Sequence, residues 1–180
     1  MTGTRPVSTE VRPATELDGD ACAAIYAPYV NATAITFETE PPTGSEMGAR
    51  IAAATRTHAW LVVENEGRVA GYAYATRFHT RPAYRWACEV SVYLEVGRRR
   101  TGAGRLLYNQ LFPTLIGRGF RVAVAGMTLP NPASVGLHRA MGFKDVGTYR
   151  RIGFKLGSWH DVAWMQLDLV GDAGAPGELR

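Results

Sequence analysis

Two periods of apolar residues alternate along this chain, and the switches between them mark out its elements. Val90, Val92 and Leu94 alternate with Glu89, Ser91 and Tyr93, the period of two that a strand with one buried face requires. Leu106, Leu107, Leu111, Leu115 and Ile116 recur instead at helical spacing across Gly102–Arg118, where Pro113 predicts a kink or a shortened helix. Val11–Pro13 reads as a short first strand. Thr15–Asp18 has capping-box spacing and opens a helix to about Asn31, and Thr43–Glu46 repeats that pattern before a second helix ending near Thr57. Ala32–Pro42 between them reads as a loop. Trp60–Glu64 and Val69–Ala75 are strand-like and joined by a tight turn through Glu66-Gly67, which makes a hairpin. Further on, Arg121–Met127 reads as a strand, and Pro132–Met141 as a helix capped by Asn131 and closed by Gly142. Lys144–Ile152 and Val162–Leu169 complete the order β-α-α-β-β-β-α-β-α-β-β. That order predicts a mixed α/β sheet with helices on both faces.

At 180 residues, 46% of them hydrophobic, the chain suits one domain rather than two. The expected domain spans 11–169, between a flexible N-terminus (1–10) and a flexible tail (170–180) with too little apolar character to pack. Cys22 and Cys88 sit in separate apolar stretches, without the close spacing of a metal site or redox pair, and read as buried thiols in a reducing compartment. No metal is expected. No apolar run approaches the ~20 residues that span a bilayer, and residues 1–10 lack the apolar core of a secretory signal. The expected setting is cytoplasmic, with no membrane partner.

Lys plus Arg exceeds Asp plus Glu by 20 to 16, a net charge of +4. Arg98, Arg99, Arg100 and Arg105 crowd one segment, so that charge is concentrated. Between them, Thr101-Gly102-Ala103-Gly104 stands at a strand-to-helix junction, where backbone N–H groups and the positive helix end converge on an anion. Glycines 102 and 104 are expected to let the backbone approach a diphosphate without Cβ interference, although plain turn chemistry accounts for the pattern equally well. A Walker loop is excluded by the missing Gly-Lys-Ser/Thr, and a dinucleotide fingerprint by Leu107 where a small residue is needed. A nucleic-acid module using Arg98–Arg100 lacks interleaved aromatics and helix-turn-helix spacing.

The remaining pattern, Arg-x-x-Gly-x-Gly after a valine-rich strand, resembles the pyrophosphate loop of the GNAT acetyltransferases. Asn131-Pro132-Ala133-Ser134, opening a helix that ends at Gly142-Phe143, resembles that family's second cofactor helix. Within it the chain most resembles the phosphinothricin and methionine-sulfoximine acetyltransferases. The matching segments are Thr36–Pro41, Ala83–Trp86, Glu89–Tyr93, Leu129–Asn131 and Gly153–Asp161. The resemblance implies a GNAT-type mixed central sheet of six to seven strands. It also implies acetyl-CoA as co-substrate, a small amino-acid-like acceptor and a homodimer.

Acetyl transfer needs a base for the amine, a donor for the oxyanion and a proton for the thiolate. Glu89, an acid in an apolar strand, is the candidate base, the alternative being an ion pair with Arg85. The resemblance places backbone N–H groups near Val92, Tyr93 and Leu94 against the acetyl and pantetheine arm. It places Arg99, Arg100, Thr101, Gly102, Ala103, Gly104 and Arg105 on the diphosphate, and Asn131 and Ser134 at the cofactor. His138 stands where many relatives carry a tyrosine, and is either a catalytic acid, a cofactor contact or a satisfied helix histidine. For the acceptor the resemblance suggests Phe37, Arg77, Phe78, Arg81 and Tyr84, with guanidinium suited to a carboxylate or phosphinate; Arg77 and Arg85 read more readily as solvated loop residues. Gly153–Asp161 reads as a turn with Trp159 packed against the sheet. Other acceptors (a polyamine, an aminoglycoside, a protein N-terminus) and a silent acetyl-CoA sensor are the competing readings.

Overall fold

The computed structural model describes residues 9–98, 101–171 and 174–179. Among them are strands β1 (Thr9–Pro13), β2 (Ala59–Asn65), β3 (Arg68–Arg77), β4 (Ala87–Leu94), β5 (Val122–Thr128), β6 (Lys144–Lys155) and β7 (Ser158–Asp168). The α-helices are α1 (Gly19–Ala32), α2 (Gly44–Thr57), α3 (Ala103–Gly117) and α4 (Pro132–Ala140). The strands form one sheet in the order β1-β2-β3-β4-β5-β7-β6, antiparallel everywhere except β4 beside β5.

Strand alternation sorts the core into two layers. Leu61, Val63, Ala73, Ala75, Cys88 and Val90 face α3 and its fully buried Leu107, Leu111 and Leu115. Each such leucine contributes roughly 2–3 kcal/mol relative to exposure. Trp60, Val62 and Tyr72, on the other side, pack against Cys22, Ile25, Met47 and Ile51 of α1 and α2. Both cysteines are buried, and burial pushes each thiol up to about 12.

Both capping boxes form: Asp18 reaches back to the Thr15 N–H at 2.8 Å, and Glu46 to the Thr43 N–H at 2.8 Å. The first box opens a short 3-10 turn, Glu16–Asp18, before α1 begins. Arg12 clasps Asp18 and Glu64 together, tying β1, the cap and β2.

Three expectations are corrected. Helix α3 is not shortened by Pro113 but runs through it to Gly117. Pro113 and Asn109, whose carbonyl loses its partner, are both exposed, so water can take that carbonyl while Leu111 and Leu115 hold the helix to the sheet. Gly153–Asp161 is mostly strand: β6 and β7 continue to a turn at Leu156-Gly157. Trp159 therefore stands on the hairpin arm, 54% exposed, with Phe154 and Arg151 beside its ring. The tail does pack. Leu179 joins the core facing α3, and the Trp86 indole N–H donates to the Gly177 carbonyl at 2.8 Å.

Candidate active site

Strands β4 and β5 pair only from Ala87–Glu89 to Val122–Val124. β4 continues to Leu94 and β5 to Thr128, so their facing edges part beyond Glu89. Across its other edge β4 stays paired with β3 as far as Leu94. Among the described residues no strand pairs with the backbone groups of 90–94 that face the opening, which makes this wedge a ready binding surface for a ligand with amide groups. Val92 and Leu94 pack toward α3, while Tyr93 turns the other way against Tyr26 and Tyr29 at ring separations of 4.9 and 5.3 Å. Tyr29 also donates to the Leu94 carbonyl at 2.6 Å, bracing the strand's far end.

Glu89 sits at the apex of the wedge, half-buried, between Thr76 of β3 and Val124 of β5. Burial raises its carboxyl above the usual range. No hydrogen bond or salt bridge holds it among the described residues. The alternative pairing with Arg85 does not form, because that guanidinium lies over the Trp86 ring at 4.1 Å and reaches Glu178 at 3.6 Å.

The glycine loop closes the wide end. Gly102 caps α3 at φ +79, a left-handed conformation that a side chain would strain, and its missing Cβ points into open space. The early N–H groups of a fifteen-residue helix therefore stand at an accessible end. At Gly104 a Cβ would lie 2.9 Å from Leu137 Cδ2, so its smallness also serves the α3–α4 contact. Arg98 is tied to Glu95 at 2.7 Å, which also holds Arg68, and the two guanidinium groups draw the Glu95 carboxyl down to about 2. Thr101 and Arg105 are exposed beside the loop, and Ala103 is buried. Arg99 and Arg100 lie outside the described residues. An extended ligand with an amide-bearing arm and an anionic end, as coenzyme A has, fits this combination of open edge and helix terminus.

Across the wedge, the Asn131 side chain accepts from the Ser134 N–H at 3.2 Å and starts α4. His138, on the same helix, is 2% exposed. Its Nδ1 lies 2.8 Å from the Ser134 carbonyl and its Nε2 2.9 Å from the Tyr108 hydroxyl, with Phe143 edge-on at 4.9 Å. Nδ1 donates to the carbonyl, so Nε2 accepts from Tyr108. Burial lowers the imidazole's pKa, with the Ser134 carbonyl opposing. This geometry is that of a satisfied, neutral helix histidine.

The expected acceptor residues divide into groups. Phe78 and Tyr84 cluster at 5.8 Å, and Phe78 meets Trp164 at 6.0 Å, on the face that carries Glu89. Phe37 lies against Gly153 and 6.3 Å from the His160 ring. Arg77 and Arg81 join Arg56, Arg85 and His58 around a cavity of about 510 Å³ at the end of the sheet. Burial, then the positive charges of Arg77 and Arg118, press the His58 imidazole down to about 4. A neighbouring cavity of about 410 Å³ opens between α2 and the Glu89 face, walled by Tyr26, Arg50, Trp60, Tyr72, Tyr74 and Thr76. Tyr26, Arg50, Tyr74 and Trp164 were not singled out in the sequence. The alternation of Tyr72 and Tyr74 along β3 was the one available signal for them.

Residues 11–164 match the acetyltransferase (GNAT) domain family. The phosphinothricin N-acetyltransferase of Streptomyces viridochromogenes is 42% identical over 164 residues, covering 91% of this chain and 88% of that protein. The L-methionine sulfoximine/L-methionine sulfone acetyltransferase of Pseudomonas paraeruginosa is 34% identical, over 94% of this chain and 100% of its own. A solved GNAT superfamily phosphinothricin acetyltransferase from Sinorhizobium meliloti, in complex with acetyl-CoA, matches with a TM-score of 0.89 at 36% identity, covering 94% of each chain. With its seven-stranded mixed sheet, its β4–β5 wedge and its glycine-capped α3, the chain belongs to the GNAT acetyltransferase family and is an acetyl-CoA-dependent N-acetyltransferase.

Proposed function

We propose that the acceptor is a small amino-acid-like molecule of the phosphinothricin, methionine sulfoximine or methionine sulfone type, acetylated by direct attack with Glu89 as general base. The observation that carries this is Glu89 itself: a half-buried carboxylate of raised pKa, without a partner among the described residues, where β4 and β5 part. The curated relatives named for those acceptors support the substrate class. The acceptor nitrogen gives a proton to Glu89 and attacks the thioester carbonyl. The C–N bond forms and the carbonyl oxygen becomes an oxyanion; its collapse breaks the C–S bond, and coenzyme A leaves as thiolate.

Backbone N–H groups of 92–94 take the oxyanion and the pantetheine arm, and the loop from Thr101 to Arg105, with Asn131 and Ser134 across the wedge, takes the rest of the cofactor. His138 keeps its structural bonds and does not act as the acid. A free thiol titrates near 8.5, so water suffices to protonate the leaving group near neutral pH. Phe37, Phe78 and Tyr84 form the apolar walls, and Arg81 with Arg77 supplies positive charge for the acceptor's carboxylate. The arm of β6 and β7 exposes Tyr149, Ile152, Phe154, Leu156 and Trp159, an apolar surface suited to a second copy, which supports a homodimer.

Thiol release from acetyl-CoA tests the proposal against a panel of phosphinothricin, methionine sulfoximine, methionine sulfone, spermidine and a peptide. Saturable release with the first three supports it. Release with spermidine or the peptide alone assigns the chain another acceptor.

A further inference from the structure

Between α1 and α2 the backbone of residues 33–43 forms neither helix nor strand, yet three separate elements grip it. From α1, the Tyr26 hydroxyl meets Thr36 Oγ1 at 2.5 Å and Glu38 Oε1 at 3.1 Å. From α2, Arg50 binds Glu38 through both carboxylate oxygens at 2.7 and 2.9 Å. The third grip comes from far along the chain: the Lys155 ammonium, at the end of β6, donates to the Thr36 carbonyl at 2.8 Å. Lys155 is only 7% exposed, and burying its charge lowers its pKa, with Glu38 nearby opposing.

The strand period explains why this grip falls beside Phe37. Gly153 and Lys155, two residues apart on β6, present to the same side. Lys155 supplies the bond to Thr36, while Gly153 leaves space that the Phe37 ring fills; any side chain at 153 would be driven into that ring. His160, paired across from Gly153 in β7, flanks the same ring and holds the Lys155 carbonyl at 2.9 Å. An ammonium beside a vacant position thus fixes both the backbone and the ring at one place.

We propose that Lys155 and Gly153 are positioning residues that seat Phe37 in the acceptor pocket, so that the β6–β7 hairpin sets acceptor affinity. The inference rests on the reading of Phe37 as a pocket wall. Neither residue touches the cofactor wedge, so their loss should raise the acceptor KM and spare the cofactor.

The test compares wild type, Lys155→Met, Lys155→Arg and Gly153→Ala as full chains by two measurements. Amide hydrogen exchange, which needs no acceptor, should quicken at Thr36–Glu38 in Lys155→Met and Gly153→Ala and stay unchanged in α3. Steady-state kinetics with phosphinothricin should show acceptor KM raised about tenfold in both, an unchanged KM for acetyl-CoA, and partial restoration in Lys155→Arg. Unaltered exchange at Thr36–Glu38, or faster exchange with an unmoved acceptor KM, overturns the proposal. If wild type releases no thiol with phosphinothricin, the substrate reading fails instead, and the exchange result alone decides whether Lys155 seats the loop.

Discussion

Glu89 and Val124 are the last residues that pair between β4 and β5, and beyond them the strands go separate ways. The carboxylate is therefore held by a sheet on both sides while standing at the mouth of an opening. That position accounts for its burial, its raised pKa and its access to a reacting amine.

A base of raised pKa is a liability for folding. Its neutral form is favoured in the folded state, so the charge costs nothing below the unfolded value of 4.5, and the cost grows as pH rises through the higher folded value. Glu89→Gln should raise the melting temperature at pH 8 and leave it nearly unchanged at pH 4. The wild-type kcat/KM should in turn fall as pH drops through the same elevated pKa. Thermal melts and a pH–rate profile check both.

Two buried histidines make the opposite contribution. His58 is held down at about 4 and His138 is also lowered, while the unfolded chain takes up both protons near 6.5. Their stability contribution is whole above that value and is lost as pH falls toward the folded values. Urea unfolding should weaken between pH 7 and 4, and His58→Asn should flatten that slope. His138→Ala should cost about 2–4 kcal/mol without altering either limb of the kcat profile. A lost limb would restore His138 as an acid.

The two loop glycines separate by mechanism. Gly104→Ala brings a methyl against the movable end of Leu137 and should cost no more than about 1 kcal/mol, with a measurable coupling to Leu137→Ala in the double variant. Gly102→Ala meets open space, costs roughly 1–2 kcal/mol for its left-handed backbone, and should weaken acetyl-CoA binding. Denaturant titrations of the four variants, with calorimetry on the Gly102 variant, measure both effects.

The docked tail gives a further prediction. Leu179→Ala should destabilise the protein by about 1–3 kcal/mol, and Trp86→Phe by about 1 kcal/mol through loss of the bond to Gly177. Tails that never docked would leave both variants with wild-type melting temperatures.

How far the sequence reaches depends on whether a feature is local. Val90, Val92 and Leu94 alternate, the two capping boxes are contiguous, and Asn131 caps the residue three places on, so elements and their order were legible. Glu89 was legible as an acid among apolar neighbours. The wedge was not, because where pairing stops depends on two strands a whole helix apart. The packing of Gly104 against Leu137 was not legible either, because the loop pattern is silent about a residue on another helix. Lys155 gives no local sign of reaching Thr36, 119 residues away. Leu179 looked isolated in a polar tail, and only the folded surface offers it a seat.

The central claim is that Glu89 takes the amine's proton while the wedge holds the cofactor independently of it. Parallel determination of kcat and of acetyl-CoA affinity for wild type and Glu89→Gln tests it most directly. The account predicts kcat lowered by roughly 10²–10⁴-fold with affinity unchanged. Wild-type turnover in the variant, or loss of acetyl-CoA binding in step with turnover, would contradict it.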